Sequence, residues 1–186
     1  MFRHIVSREN LLVYANRNID WDLRRSNLIT IIEGLSPMSI VYGIMASADP
    51  TFEREAREIM LQNAHCVLAM WNLVDEVPED LRKRAFARPN GAVALSEMQE
   101  GTAKVVSGML LSTEQRVDKS VAALVWYIGE LIRVLPPLID RITPERQAEA
   151  IQRIAKLAAS EPNPVLAKQF KWLHKAVTAP QKPVAH

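Results

Sequence analysis

The sequence is poor in the residues on which several common chemistries depend. Cys66 is the only cysteine, so no internal disulfide can form, and a reducing, cytoplasmic environment is expected. The four histidines, at positions 4, 65, 174 and 186, include no pair at the i, i+4 spacing that lets two imidazoles share a metal on one helix face. The sequence therefore predicts no metal site and no bound cofactor.

Glycine, aromatic residues and long apolar runs are also scarce. Six glycines and an aromatic share of 6% disfavour an all-β chain with many tight turns. No uninterrupted apolar run reaches the roughly 18 residues that span a bilayer. The first ten residues, MFRHIVSREN, lack the apolar segment of a signal peptide. We expect a soluble, cytoplasmic protein of bacterial type, without insertion into a membrane.

Recognisable catalytic motifs are missing as well. The chain contains no G-x-S-x-G nucleophile elbow, no P-loop and no G-x-G-x-x-G dinucleotide loop. Cys66 falls on the apolar side of its predicted helix, where burial makes a thiol unreactive. The neighbouring His65 falls on the polar side. These absences favour a protein that is not an enzyme.

What the chain does contain is a repeated signal for the start of a helix. A side chain that can cap a helix precedes proline four times, at Ser36-Pro37, Asp49-Pro50, Thr143-Pro144 and Asn163-Pro164. The capping oxygen accepts an unpaired backbone N–H, and proline at the first helical position loses no hydrogen bond. We therefore predict an all-α protein, a compact bundle of roughly seven to nine helices.

The helical pattern also predicts how the chain is divided. Helices are expected at 8–17, 20–34, 37–47, 50–74, 78–87, 92–110, 113–135, 144–159 and 164–177, with a turn at 88–91, RPNG. The last two helices form a hairpin like one unit of a helical-repeat protein. Residues 1–177 are expected to form a single domain, and 178–186 an extended or flexible tail whose removal leaves the fold intact.

The segment from Val121 to Leu135 is apolar on more than one side. Its core stripe is about 120° wide, and Trp126 lies opposite that stripe beside Glu130 and Arg133. The two charged residues are three apart, a spacing that predicts a surface ion pair. The double proline at 136–137 is expected to end the helix or bend it sharply.

The helix predicted at 50–74 has the same two-sided character. Leu61 and Leu68 lie opposite its core stripe. A helix that is apolar on both sides is either central in its bundle or covered by a partner.

In the helix predicted at 92–110, small residues recur every seven positions, at Ala94, Gly101 and Gly108. This spacing predicts the close approach of a second helix.

Asn63 is the most informative single polar residue. It falls within the apolar stripe of the 50–74 helix, where a buried amide must find hydrogen-bond partners. One hypothesis is that Asn63 fixes the register of packed helices. The other is that it lines a small-molecule pocket with Met60, Met70 and Trp71, to which Trp126 could contribute.

The last predicted helix is basic on its polar side. Lys168, Lys171 and Lys175 align opposite its apolar stripe, and residues 141–186 hold eight Lys or Arg against three Asp or Glu. Such a face is commonly only solvated, but it can also meet phosphates or an acidic protein. Without a helix-turn-helix signal or an arginine-rich groove, nucleic-acid binding is not expected.

Together these features favour a protein-protein interaction module of the immunity-protein, secretion-chaperone or adaptor type. Its interface is predicted to be apolar and rimmed by charge, and self-association into a homo-oligomer is compatible with it. Two alternatives are a small-molecule sensor or metal-independent enzyme with a pocket near Asn63, and a binder of anionic polymers. The candidate interface residues are Trp126, Glu130, Arg133, Lys168, Lys171 and Lys175.

Overall fold

The computed structural model describes residues 16–114 and 120–179, and the regular structure within these ranges is entirely helical. The all-α prediction is confirmed, because the described residues form seven α-helices and one short 3-10 turn, without a strand. The helices are α1 (Trp21–Ala48), α2 (Glu53–Asp75), α3 (Glu79–Phe86), α4 (Pro89–Glu114), α5 (Val121–Ile139), α6 (Pro144–Ser160) and α7 (Pro164–Thr178), and the 3-10 turn is Pro50–Phe52. Most of the predicted helix 8–17, and the tail from Pro180 onward, lie outside the described residues.

The chain divides into two compact units, with the boundary inside α4. The first unit contains the described residues up to Met98, and the second contains those from Gln99 onward. The expectation that residues 1–177 behave as a single domain stays a prediction.

Three of the four predicted helix starts are confirmed. Asp49 caps the 3-10 turn, since its carboxylate accepts the N–H of Thr51 at 2.9 Å. Asn163 caps α7, where its amide oxygen accepts two backbone N–H groups at 3.0 and 3.3 Å. Helix α6 begins at Pro144, directly after Thr143.

The fourth predicted start, at Ser36-Pro37, is wrong. Helix α1 runs without interruption from Trp21 to Ala48, with Pro37 inside it. An interior proline removes one backbone hydrogen bond and strains the preceding turn. Beyond it, however, Met38 and Tyr42 pack against the core of the first unit. Partial burial of these two side chains favours continuation of the helix past Pro37.

The double proline does not end the helix predicted at 113–135 either. Helix α5 begins at Val121, where the Ser120 hydroxyl accepts the N–H of Ala123 at 3.3 Å, and it continues through both prolines to Ile139. Leu138 and Ile139, which follow the prolines, are 0% and 2% exposed. Their burial accounts for the helix continuing past the two missing N–H groups.

The predicted turn at 88–91 is also wrong, because Pro89 is the first residue of α4. At Gly91 the backbone of α4 lies very close to the backbone at the end of α3. A Cβ atom at this position would overlap the carbonyl oxygen of Ala85 and lie 2.8 Å from the carbonyl carbon of the same residue. Glycine is therefore required by the close approach of two backbone segments.

The core of the first unit lies between α1 and α2. Leu28, Ile31 and Leu35 from α1 pack against residues of α2 that include Ile59 and Leu73. Two polar contacts fix the pairing of the helices. The Trp21 indole N–H donates to the Leu73 carbonyl at 3.1 Å, and Arg24 donates twice to the Glu76 carboxylate at 3.1 and 2.6 Å.

Helix α2 is buried on a second side as well. Leu61, Ala64 and Trp71 are 6%, 0% and 4% exposed, and Leu68 is half-buried. The chain itself buries Leu61. This supports the hypothesis that the helix is central in its bundle over the hypothesis that a partner covers its second apolar side. Glu53 and Arg57 form an ion pair on that side, and both are buried.

In the second unit, α7 packs against both α5 and α6. Leu131, Phe170 and Ile154, one from each helix, are completely buried. The C-terminal part of α4 joins this core, where the Tyr127 hydroxyl lies 3.5 Å from the Met109 carbonyl. Helices α6 and α7 form the predicted hairpin across a three-residue connector, Glu161 to Asn163.

Two described helices have the length and composition of a membrane span. An 18-residue window of α1 has a mean hydropathy of 1.6, and one of α5 has 1.5. Half of the α5 window and 17% of the α1 window are buried within the structure.

Candidate functional site

Trp126 lies on the outer side of α5 and is 41% exposed. Leu124, Ile128 and Leu131, which α5 buries, lie on the opposite side of the helix. The Trp126 ring has only its sequence neighbour as an aromatic contact in the described chain, with a centroid distance of 6.3 Å to Tyr127. Much of a large apolar surface is therefore in contact with solvent.

The charged neighbours of Trp126 form the predicted ion pair. A guanidinium nitrogen of Arg133 lies 3.5 Å from a carboxylate oxygen of Glu130. The Arg133 side chain is 77% exposed and that of Glu130 is 28% exposed, so solvent screens the pair and its contribution to stability is small. The pair places both signs of charge beside an exposed indole.

The three lysines of the candidate interface lie on the outer face of α7. Lys168, Lys171 and Lys175 are all exposed. Leu166, Phe170, Leu173 and Val177 make the opposite, buried side. The structure adds Trp172, which is 48% exposed, and brings the Lys168 ammonium to 4.9 Å from the centre of its ring. A cation at this distance is attracted by the face of the indole.

The four candidate pocket residues all lie on α2. Asn63 and Trp71 are each 4% exposed, and Met60 and Met70 are half-buried. The predicted burial of Asn63 is therefore confirmed. Its amide oxygen finds no hydrogen-bond partner in the described part of the chain. Neither a register role nor a pocket role is assigned by these contacts alone, and both stay predictions.

The structure contains a cavity of about 150 Å³ in the second unit, between α4 and α6. None of the four candidate pocket residues lines it. Its floor is apolar, with Val106, Leu110 and Ile142, and its rim is charged. Arg153 on the rim is held by the Glu114 carboxylate at 2.8 and 2.9 Å and by the Ser107 hydroxyl at 3.0 Å. This arginine is therefore already paired within the fold.

Cys66 and His65 are placed as the sequence predicts. Cys66 is 1% exposed, and burial raises the pKa of its thiol to about 11. His65 is exposed. The thiol therefore stays protonated near neutral pH and is a poor nucleophile. Within the described ranges, no three His, Cys, Asp or Glu side chains converge in a group that could hold a metal ion.

Sequence reasoning missed two exposed apolar surfaces. The first is Trp172 with Val165, which is 52% exposed, and the i, i+4 spacing from Lys168 to Trp172 was the available signal. The second is the outer face of the C-terminal half of α1. There Ile40 and Ile44 are each 65% exposed and Val41 is 46% exposed. Residues 34–48 contain no charged residue, and that absence was the signal for this face.

Comparison with protein-family models, with curated proteins and with solved structures gave no match.

Proposed function

We propose that this protein is a non-enzymatic interaction module that binds a protein partner through the second unit. The observation that carries the proposal is the exposure of Trp126 and Trp172, at 41% and 48%. The same unit buries Leu131, Phe170 and Leu173 completely. An indole left in water forgoes a large hydrophobic gain, and tryptophan is prominent among residues that dominate binding energy.

The surroundings of the two indoles support this proposal. Trp126 lies beside the Glu130–Arg133 pair, and Trp172 lies among the α7 lysines. An apolar anchor with a charged rim is the ordinary composition of a protein interface. The α6–α7 hairpin, predicted to resemble one unit of a helical repeat, carries Trp172 and the lysines on its second helix.

The proposal includes a cytoplasmic location and allows self-association. Burial of half of the apolar α5 window supports a soluble protein. The exposed aliphatic face of α1, at Ile40, Val41 and Ile44, supports a homo-oligomer.

Affinity purification from the native host, with quantitative mass spectrometry, tests the proposal. The baits are the wild type, Trp126→Ala, Trp172→Ala and the double variant. The control is Leu81→Ala, which removes an apolar side chain that is 49% exposed in the first unit. If an indole anchors the partner, its loss weakens binding by about 2 kcal/mol, which is roughly thirtyfold. Recovery of the same proteins at the same levels with all five baits would refute the proposal.

Thermal unfolding shows whether the tryptophan baits remain folded. Replacing an exposed Trp126 is expected to change the free energy of unfolding by less than about 1 kcal/mol. Trp71→Ala is the contrasting variant, because Trp71 is 4% exposed and its loss is expected to cost about 3–5 kcal/mol. Acrylamide quenching of a protein that retains only Trp126, with Trp21, Trp71 and Trp172 changed to Phe, measures its exposure directly.

A further inference from the structure

The outer face of α7 has one sign of charge and an apolar centre. Helix α7 contains three lysines and no Asp or Glu. Lys168, Lys171 and Lys175 are exposed, and none forms an ion pair with a described residue. They span eight residues, which is about 10 Å along the helix axis. The face therefore carries positive charge that no ion pair with a described residue neutralises.

Trp172 lies within this group of lysines and gives the face an apolar anchor. It is 48% exposed, and Val165, one helical turn before Lys168, is 52% exposed. The Lys168 ammonium lies 4.9 Å from the centre of the Trp172 ring, so the cation and the indole form one continuous surface. A ligand complementary to this face needs negative charge on both sides of an apolar group.

We propose that the α7 face, defined as Val165, Lys168, Lys171, Trp172 and Lys175, binds an acidic segment of a partner protein in which an apolar side chain lies between carboxylates. The inference rests on the proposed function and specifies the chemistry of the partner. Carboxylates on the segment pair with the lysines, and its apolar side chain packs against Trp172.

The geometry favours a polypeptide over a membrane or a nucleic acid. The apolar side of α7, with Leu166, Phe170 and Leu173, is buried in the core and cannot enter a lipid bilayer. Nucleic-acid surfaces use arginine-rich grooves or several aromatic platforms, whereas this face has three lysines and one indole on a single convex helix. Trp with surrounding polar groups is instead characteristic of protein interfaces.

Selection from a displayed library of random 12-residue peptides tests the inference with the full-length protein as bait. The expected result is enrichment of peptides with several Asp or Glu around a Leu, Ile or Phe. The Kd of the best peptide is then measured for three variants. Lys168, Lys171 and Lys175 are changed to Gln together in the first, and Trp172→Ala is the second. In the control, Lys83, Lys104 and Lys156, exposed elsewhere, are changed to Gln together.

The control removes the same number of positive charges from other surfaces. It therefore separates an effect of the α7 face from an effect of the protein's net charge. We expect the α7 lysine variant and Trp172→Ala each to weaken peptide binding at least tenfold, and the control to change it less than twofold. Binding to wild type is expected to weaken several-fold between 50 and 500 mM NaCl, because salt screens exposed charges.

Three results would overturn the inference. The first is enrichment of neutral or basic peptides, or no enrichment at all. The second is peptide binding that depends on Trp172 but not on the α7 lysines, which would leave the proposed function standing. The third is tighter, lysine-dependent binding of a 15-nucleotide oligo(dT) or of phosphatidylglycerol vesicles. Failure of the proposed function is recognised separately. In that case the proteins that co-purify from the native host are recovered at the same levels whether or not Trp126 and Trp172 are replaced.

Discussion

Arg24 shows how a single charged residue is accommodated at the edge of a helix pair. It is 5% exposed, and both of its terminal nitrogens donate to the Glu76 carboxylate. These hydrogen bonds hold the pKa of Glu76 below its usual value of 4.5. Because the folded-state pKa is lowered, the stabilisation is complete above pH 4.5 and is lost as the pH falls through the folded-state pKa.

Glu76→Gln is therefore expected to destabilise the protein at pH 7 but not in acid. At pH 7 the loss of a charge-assisted pair with a buried guanidinium is expected to cost about 1.5–3 kcal/mol. At an acidic pH below the lowered pKa of Glu76 the difference from the wild type should be much smaller, since the wild-type carboxylate is then itself protonated. Urea unfolding at both pH values measures this, with Glu33→Gln, an exposed position on α1, as the control. An equal loss at both pH values would contradict the electrostatic explanation.

Asn63 presents the opposite situation, a buried polar group whose oxygen has no hydrogen-bond partner among the described residues. Replacing an unsatisfied buried group by an apolar one of similar branching removes a desolvation penalty. Asn63→Leu is expected to raise the free energy of unfolding by about 1 kcal/mol, measured by urea denaturation. If Asn63 fixes helix register, light scattering should also show a changed oligomeric state. A loss of stability with unchanged mass would count against both expectations.

Helix α4 shows that glycines within one element have different roles. Gly91 is packed against the backbone of Ala85 and Phe86. Gly101 and Gly108, by contrast, have no atom of a described residue within 4 Å of where a Cβ would lie. The expected close approach of a second helix at these two small residues is therefore wrong.

Substitution of these glycines by alanine is expected to have effects of opposite sign. Gly91→Ala forces the α3–α4 connection apart and should destabilise the protein by about 1–3 kcal/mol. Gly108→Ala adds a methyl group in open space and improves helix propensity, so it should stabilise by about 0.5–1 kcal/mol. Melting temperatures of the two single variants test this directly. Stabilisation by Gly91→Ala would show that the connection is not as close as the structure describes.

At the scale of the whole molecule, the two compact units each have a fully buried core. Leu28 in the first unit and Leu131 in the second are both 0% exposed. The boundary between the units falls inside α4, a continuous helix that contributes residues to both. A shared helix favours cooperative unfolding, because melting it in one unit removes part of the other.

Leu28→Ala and Leu131→Ala are therefore expected to lower the same unfolding transition. Each change leaves a cavity and should cost about 2–5 kcal/mol, which lowers the melting temperature by roughly 2–4 °C per kcal/mol for a chain of this size. Differential scanning calorimetry should show one peak for the wild type and for both variants. Two peaks, each sensitive to only one substitution, would contradict the single-domain prediction for residues 1–177.

Part of the candidate site could be predicted from helical periodicity alone. The position of Trp126 opposite the core stripe, the outward alignment of the α7 lysines, the Glu130–Arg133 pair and the burial of Asn63 all depend on positions within one helix. A helical wheel predicts on which side of its own helix each of these residues lies. Trp172 and the exposed face of α1 were missed because an apolar residue at the edge of a core stripe becomes buried or exposed according to its neighbours in other helices.

By itself, the sequence determined the helical class, the caps at Asp49 and Asn163 and the inert environment of Cys66. These features depend on interactions between residues a few positions apart in the sequence. The spacing of those residues determines whether the interactions form. Only the tertiary structure decided that helices continue through Pro37 and Pro136-Pro137 and that Leu61 is covered by the chain itself. An interior proline costs about 3 kcal/mol, whereas each large apolar side chain that becomes buried contributes about 1.5–3 kcal/mol. Leu138 and Ile139, beyond the double proline, are buried, and their packing against segments distant in sequence determines where the helix ends.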